Sequence, residues 1–234
     1  MKESEIIERY FITSLKDKDS ISLGIGDDAA ILNLPVDQQL VVSTDTLVSG
    51  IHFFPDQSAD EIAHKALAVN LSDMAAMAAK PKWFTLSLTM PEFEHSWLES
   101  FSKGLLSLAQ ACEVDLIGGD LTKGPLTVTI TMHGLVPKNR FITRNGALPG
   151  DKIFVTGTLG DAGLVLGLEK HNPNGYDFSA IRSRLYKPTP RVSVAIKFRN
   201  IVNSMIDVSD GLAFDLSRIL MLSDVGGCIY IDKI

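Results

Sequence analysis

The stretch from Asp60 to Ala79 limits the fold more than any other part of this chain. It is dense in alanine and sets Ile62, Ala66, Val69 and Met77 at helical spacing, with Pro81 read as its stop. A helix this apolar is expected to lie against a sheet and help build the core. Asp73 nevertheless sits inside it, among Ala, Leu, Val and Met. A carboxylate on such a surface carries a large desolvation cost unless it is paired or bound to a cation. The helix is therefore expected to present Asp73 to a functional partner.

The remaining pattern alternates strands and helices. Ser4–Leu15 reads as a short amphipathic helix, followed by a turn at Lys16–Ser20. Ile31–Leu34 and Leu40–Ser43, divided by Pro35–Gln38, read as a hairpin. Trp83–Met90 and Val114–Ile117 read as strands on either side of a helix from Glu94 to Cys112. Leu126–Val136 is the clearest strand, with Thr127, Thr129 and Thr131 alternating against Val128, Ile130 and Met132. Beyond Pro137–Arg140, a strand is expected at Lys152–Thr156 and helices at Asp161–Leu168, Phe178–Tyr186, Arg191–Ser204 and Leu212–Leu222. A last strand is expected at Gly226–Ile231. Strands mixed with long helices point to an α+β class, a mixed or antiparallel sheet covered by helices on one face. The domain reading is 1–137 for an N-terminal unit and 138–234 for a second α+β unit short of strands.

Composition narrows the function classes. With 28 acidic against 22 Lys and Arg residues, the formal charge is −6, so the basic stripe of a nucleic-acid binder is not expected. No apolar run approaches the ~20 residues of a membrane span, and Met1–Glu5 is too acidic and polar for a signal peptide. Cys112 and Cys228 fit no metal or redox spacing and read as reduced thiols. A cytoplasmic location is expected.

Five segments place aspartate beside glycine, serine or threonine: Gly26-Asp27-Asp28, Ser43-Thr44-Asp45, Leu71-Ser72-Asp73, Gly118-Gly119-Asp120 and Asp207-Val208-Ser209-Asp210-Gly211. Singly, each reads as an ordinary turn. Jointly, they supply the hard oxygens that magnesium takes, and so point to a phosphate ester handled through metal ions. No Walker sequence and no complete Gly-x-Gly-x-x-Gly is present. ATP binding would then rest on several Mg²⁺ ions rather than on a P-loop lysine. His52 alone reads as a packed or surface histidine. Arg144 reads equally as a phosphate clamp or a solvated turn residue. Lys187-Pro188-Thr189-Pro190-Arg191 marks a rigid connection into a helix, its charges compatible with a solvated end.

In order, these motifs resemble the thiamine-monophosphate kinases, within the superfamily of aminoimidazole ribonucleotide synthetase, selenophosphate synthetase and the hydrogenase maturation dehydratase. The resemblance runs through Gly24–Ala29, Ser43–Val48, Gly50–Phe53, Asn70–Met77, Gly118–Asp120, Arg144–Asp151, Lys187–Arg191 and Asp207–Leu212, nearly the whole chain. His52 in its context and the Asn70–Met77 run are the features of the kinase branch.

The resemblance implies an enzyme that phosphorylates thiamine monophosphate to thiamine diphosphate, with ATP as co-substrate and direct transfer of the γ-phosphoryl group. Asp28, Ser43, Thr44, Asp45, Asp73, Asp120, Asp207 and Asp210 fall on magnesium positions. Gly119, Asp120, Arg144 and Ser209 fall on ATP positions. His52 and Asp73 fall on substrate positions, and Asp73, Asp45, Asp120 and Asp210 carry the catalytic expectation. The resemblance also implies a homodimer in which two N-terminal sheets form a barrel. Family members run on beyond this length, with a Gly-Glu-Asp-Tyr-Glu-Leu segment and a late aromatic against the thiamine portion. Neither occurs here, so C-terminal truncation is expected. Leu121 and Lys123 stand where threonine and arginine are more usual. The rival readings are an ATP-dependent synthetase of the same superfamily and a truncated, non-catalytic nucleotide-binding dimer.

Overall fold

The computed structural model of the protein describes residues 3–13, 15, 17, 19–230 and 232. Ser14, Lys16, Lys18 and Ile231, which fall in expected elements, lie outside the described residues. The chain opens with α1 (Glu3–Tyr10), shorter than the expected Ser4–Leu15 helix, and a small antiparallel pair, β1 (Ile21–Leu23) and β2 (Ile31–Leu32).

The main sheet has four strands: β3 (Gln38–Val48), β4 (Lys80–Met90), β5 (Asp115–Lys123) and β6 (Thr127–Pro137), in the order β3-β6-β4-β5. β6 runs antiparallel to both neighbours, whereas β4 and β5 are parallel. Parallel neighbours need a crossover, and α3 (His95–Ala111) provides it. β3 and β4, both antiparallel to β6, are joined in turn by α2 (Ala59–Ala76). The expected α+β sheet with helices on one face is thus present.

Three expectations about strand limits are corrected. Ile31–Leu34 and Leu40–Ser43 do not form a hairpin: β2 pairs with β1, and β3 pairs with β6 along its full length. The sequence-distant strand offers an eleven-residue ladder that a two-residue strand cannot match. The expected strand at Val114–Ile117 continues through Gly118-Gly119-Asp120, which is strand rather than turn. Pro81 does not stop α2. It already belongs to β4, and the helix ends where Ala78 turns to φ 51° and the Ala79 N–H reaches the Met74 carbonyl at 2.9 Å.

One face of the sheet carries Val128, Ile130, Met132, Phe84, Leu86 and Leu88, all buried under α2 and α3. α2 is lined with alanine, and Gly104 of α3 comes so close that a Cβ there would stand 2.5 Å from the Asp60 carbonyl oxygen. On the opposite face, Trp83, Ile117, Leu135 and Ile21 form a smaller cluster beneath β1 and β2. The Trp83 indole N–H donates to the Ser20 hydroxyl at 3.2 Å. The rest of that outer face stays open and carries Leu40, Val42, Thr44 and Thr46.

After β6 come α4 (Asp161–Lys170), α5 (Ser179–Tyr186), α6 (Val192–Phe198) and α7 (Leu212–Ser223). The expected strands at Lys152–Thr156 and Gly226–Ile231 are absent among the described residues, where neither segment has a strand to pair with. Phe154 is accordingly 84% exposed. The expected Arg191–Ser204 helix is confined to α6. α5 and α6 return to α2: Arg182 pairs with Glu61, Lys187 with Asp60 at 2.6 Å, and Arg199 donates to the Ala78 carbonyl at 3.1 Å. The charge at Lys187 is therefore engaged with α2. Cys112 and Cys228 are not joined in a disulfide.

Candidate active site

Strand alternation sorts the Ser43-Thr44-Asp45 segment onto two sides. Ser43 and Asp45 pair in register with Met132 and Ile130, core residues, and so face α2. From α2, Asp73 meets this row, its carboxylate accepting the Ser43 hydroxyl. Asp73 thus has the partner its apolar helix demands, and that partner is a hydroxyl.

Asp207 joins the group from the loop before α7. Burial pushes the Asp45 carboxyl above the usual range, and the charges of Asp73 and Asp207 add to the effect. Asp207 is raised by burial and then by Asp73, with Arg144 opposing. Two carboxyls held above their usual range by burial and by neighbouring carboxylates mark a place built for positive charge. His52 lies beside Asp45, where its ring favours the ionised carboxylate. Its Nδ1 accepts the Val48 N–H at 3.0 Å, which leaves Nε2 as the nitrogen that carries a hydrogen in the neutral ring.

The other expected residues stand elsewhere. Thr44 pairs with Thr131 across the outer face, hydroxyl to hydroxyl at 3.0 Å. Asp120 pairs in register with Ser87, itself opposite Thr129, and so projects to that same outer face. Gly119 pairs with Leu86, and a Cβ on it would fall 1.9 Å from the Leu86 carbonyl oxygen. Its missing side chain is thus required by the sheet itself. Asp28 lies in an exposed turn, its N–H donating to the Asp27 carboxylate at 2.8 Å. Asp210 is turned to Arg218 at 3.0 Å and is 55% exposed at its side chain.

Two residues that sequence reasoning missed complete the site's surroundings. Asp215, 1% exposed, accepts the backbone N–H groups of Ser209, Asp210 and Gly211 at 2.9, 3.0 and 3.1 Å on one carboxylate oxygen. It thereby fixes the loop that bears Asp207 and Ser209. The available signal was an acidic residue in the first turn of a helix that follows a Gly-ended loop. Asp215→Ala leaves three donors without their acceptor and is expected to cost about 3 kcal/mol. Urea unfolding measures it, and an unchanged midpoint would contradict this role. The second missed residue is Lys65 of α2, whose ammonium donates to the His52 carbonyl at 2.7 Å.

Ser43, Asp45, Asp73 and Asp207 offer hard oxygen donors, and their mutual repulsion would be relieved by a divalent cation. Among the described residues, no three carboxylate, imidazole or thiol groups form an ion site unaided.

A sheet that presents carboxylates toward a covering helix, with no P-loop, defines a class. The family profile described as AIR synthase related protein, N-terminal domain, matches residues 26–136. The thiamine-monophosphate kinase of Escherichia coli (strain K12) is 47% identical over 230 residues, spanning 97% of this chain and 71% of the relative. The crystal structure of thiamine-monophosphate kinase from Stenotrophomonas maltophilia K279a superposes with a TM-score of 0.84 at 44% identity, covering 89% of this chain and 68% of that one. AaThiL complexed with AMPPCP and TMP gives 0.76 at 32% identity, covering 87% and 66%. The chain belongs to the thiamine-monophosphate kinase family.

Proposed function

We propose that the protein transfers the γ-phosphoryl group of ATP to the phosphate of thiamine monophosphate, forming thiamine diphosphate and ADP. The observation that carries this reading is the convergence of Asp45, Asp73 and Asp207 beside Ser43. A family member solved with AMPPCP and TMP supports the choice of both substrates.

Ser43, Asp45, Asp73 and Asp207 would hold magnesium, with Asp28, Thr44, Asp120 and Asp210 as further ligands. Magnesium, when bound, neutralises phosphate charge and orients the γ-phosphate. Gly119, Asp120, Arg144 and Ser209 contact ATP, Arg144 by countering charge next to Asp207. His52 and Asp73 meet the substrate, and Asp45, Asp120 and Asp210 complete the catalytic set. The acceptor phosphate is already anionic at neutral pH, so no general base is needed. Rate enhancement comes from alignment of donor and acceptor and from fixed charges at the transferring group.

Thr44 and Asp120 lie on the open outer face of the sheet, away from Asp45 and Asp73. We read that face as the surface on which a second copy packs, so that these residues act across a homodimer. Residues 1–137 form the nucleotide-binding and dimerising domain and 138–234 the second. The protein works in the cytoplasm, in line with the absence of any helix among the described residues that is long and apolar enough to cross a membrane.

Purified protein incubated with ATP, Mg²⁺ and thiamine monophosphate is expected to yield thiamine diphosphate, read by chromatography, and EDTA is expected to stop it. Nucleotide binding without product would instead favour the non-catalytic reading.

A further inference from the structure

Lys65 and Asp73 are eight residues apart on α2, with Val69 between them, and so share one face of the helix. Asp73 meets Ser43 at one end of that face. At the other end, about 12 Å along the axis, the Lys65 ammonium rests on the His52 carbonyl at 2.7 Å. His52 ties the two ends together, since its ring acts on Asp45.

The company Lys65 keeps is unusual for a lysine beside an acidic site. Asp60 and Glu61, the carboxylates of the first turn of α2, are engaged by Lys187 and Arg182. Among the described residues, no carboxylate lies within ion-pair distance of Lys65. Burial alone acts on its ammonium and pushes its pKa down. An ammonium has three donors, and a single neutral carbonyl satisfies one of them. A partly desolvated cation without a counter-charge carries a cost, and an anionic ligand reduces it.

We propose that Lys65 binds the acceptor phosphate, donating to its oxygens from beside His52 while Asp73 faces the transferring group. This rests on the phosphoryl-transfer reading above. It gives the acceptor, a phosphate monoester, its own fixed positive charge, separate from the cations that serve ATP. The competing role for Lys65 is a clamp that holds the turn from Val48 to Phe53 through the His52 carbonyl.

Lys65→Met keeps the alkyl stem and removes the charge. One charge-assisted hydrogen bond is worth about 1.5–3 kcal/mol, or roughly 10- to 150-fold. The KM for thiamine monophosphate is expected to rise by about that factor, with the KM for ATP within about twofold of the parent and Lys65→Arg intermediate. Calorimetric titration gives a second readout: the parent's preference for thiamine monophosphate over unphosphorylated thiamine should collapse in Lys65→Met. A clamp would not alter that preference. Unchanged substrate KM and preference, or equal losses toward ATP and substrate, overturn the proposal. A parent that makes no thiamine diphosphate, yet prefers the phosphorylated ligand through Lys65, overturns the catalytic reading and leaves this one standing. A parent that binds neither ligand overturns both.

Discussion

Asp73→Asn is expected to lower turnover by at least about a thousandfold while leaving the fold intact. The two effects separate because the side chain has two tasks. Its structural task is to accept the Ser43 hydroxyl, and the asparagine carbonyl can accept it as well. Its functional task needs the charge, which asparagine lacks. The Asp73 charge also contributes to raising Asp45 and Asp207. Its removal relieves repulsion, so the metal-free variant should melt at or slightly above the parent temperature. Activity and melting measured in one buffer decide the matter. Near-normal turnover would refute the assignment of Asp73, and a sharply lowered melting temperature would show that the carboxylate is structural.

Gly119→Ala is expected to cost about 3 kcal/mol or more and to deplete soluble protein, through the sheet rather than through any ligand contact. Its Cβ would enter the Leu86 carbonyl oxygen at 1.9 Å, backbone against backbone in adjacent parallel strands. No rotamer change relieves such a contact, so β4 and β5 must separate. Denaturant unfolding reads the loss directly. A variant as stable as the parent would mean that the two strands do not run as close as described.

Long periodic segments were legible, because each declares its own period. The threonine and apolar alternation of Thr127–Met132 formed as expected, and the alanine-rich Asp60–Ala79 segment formed its helix but ended it at Ala76. Pairing was not legible. Nothing local in Leu40–Ser43 indicates that its partner lies near residue 135 rather than near residue 31. The site showed the same division. The aspartate motifs were found, but reading Ser43-Thr44-Asp45 and Gly118-Gly119-Asp120 as turns hid the alternation that sends Asp45 to one side and Thr44 and Asp120 to the other. Asp207 and Asp210 share one motif, yet Asp207 is the one that acts on Asp45, while Arg218 of the following helix holds Asp210. Asp215 and Lys65 carry no motif at all. Their importance comes from what the fold brings to them, a row of N–H groups and a lone carbonyl.

The alternation in β3 also makes the site vulnerable to a particular folding error. A slip of one residue against β6 would preserve a hydrogen-bonded ladder while turning every side chain over. Thr44 would then face α2, and Asp45 would face outward. Such a molecule could carry much of the secondary structure of the native one and still be inert. Insertions or deletions of one residue within Gln38–Val48 should therefore be tolerated far less well than exchanges of residue type.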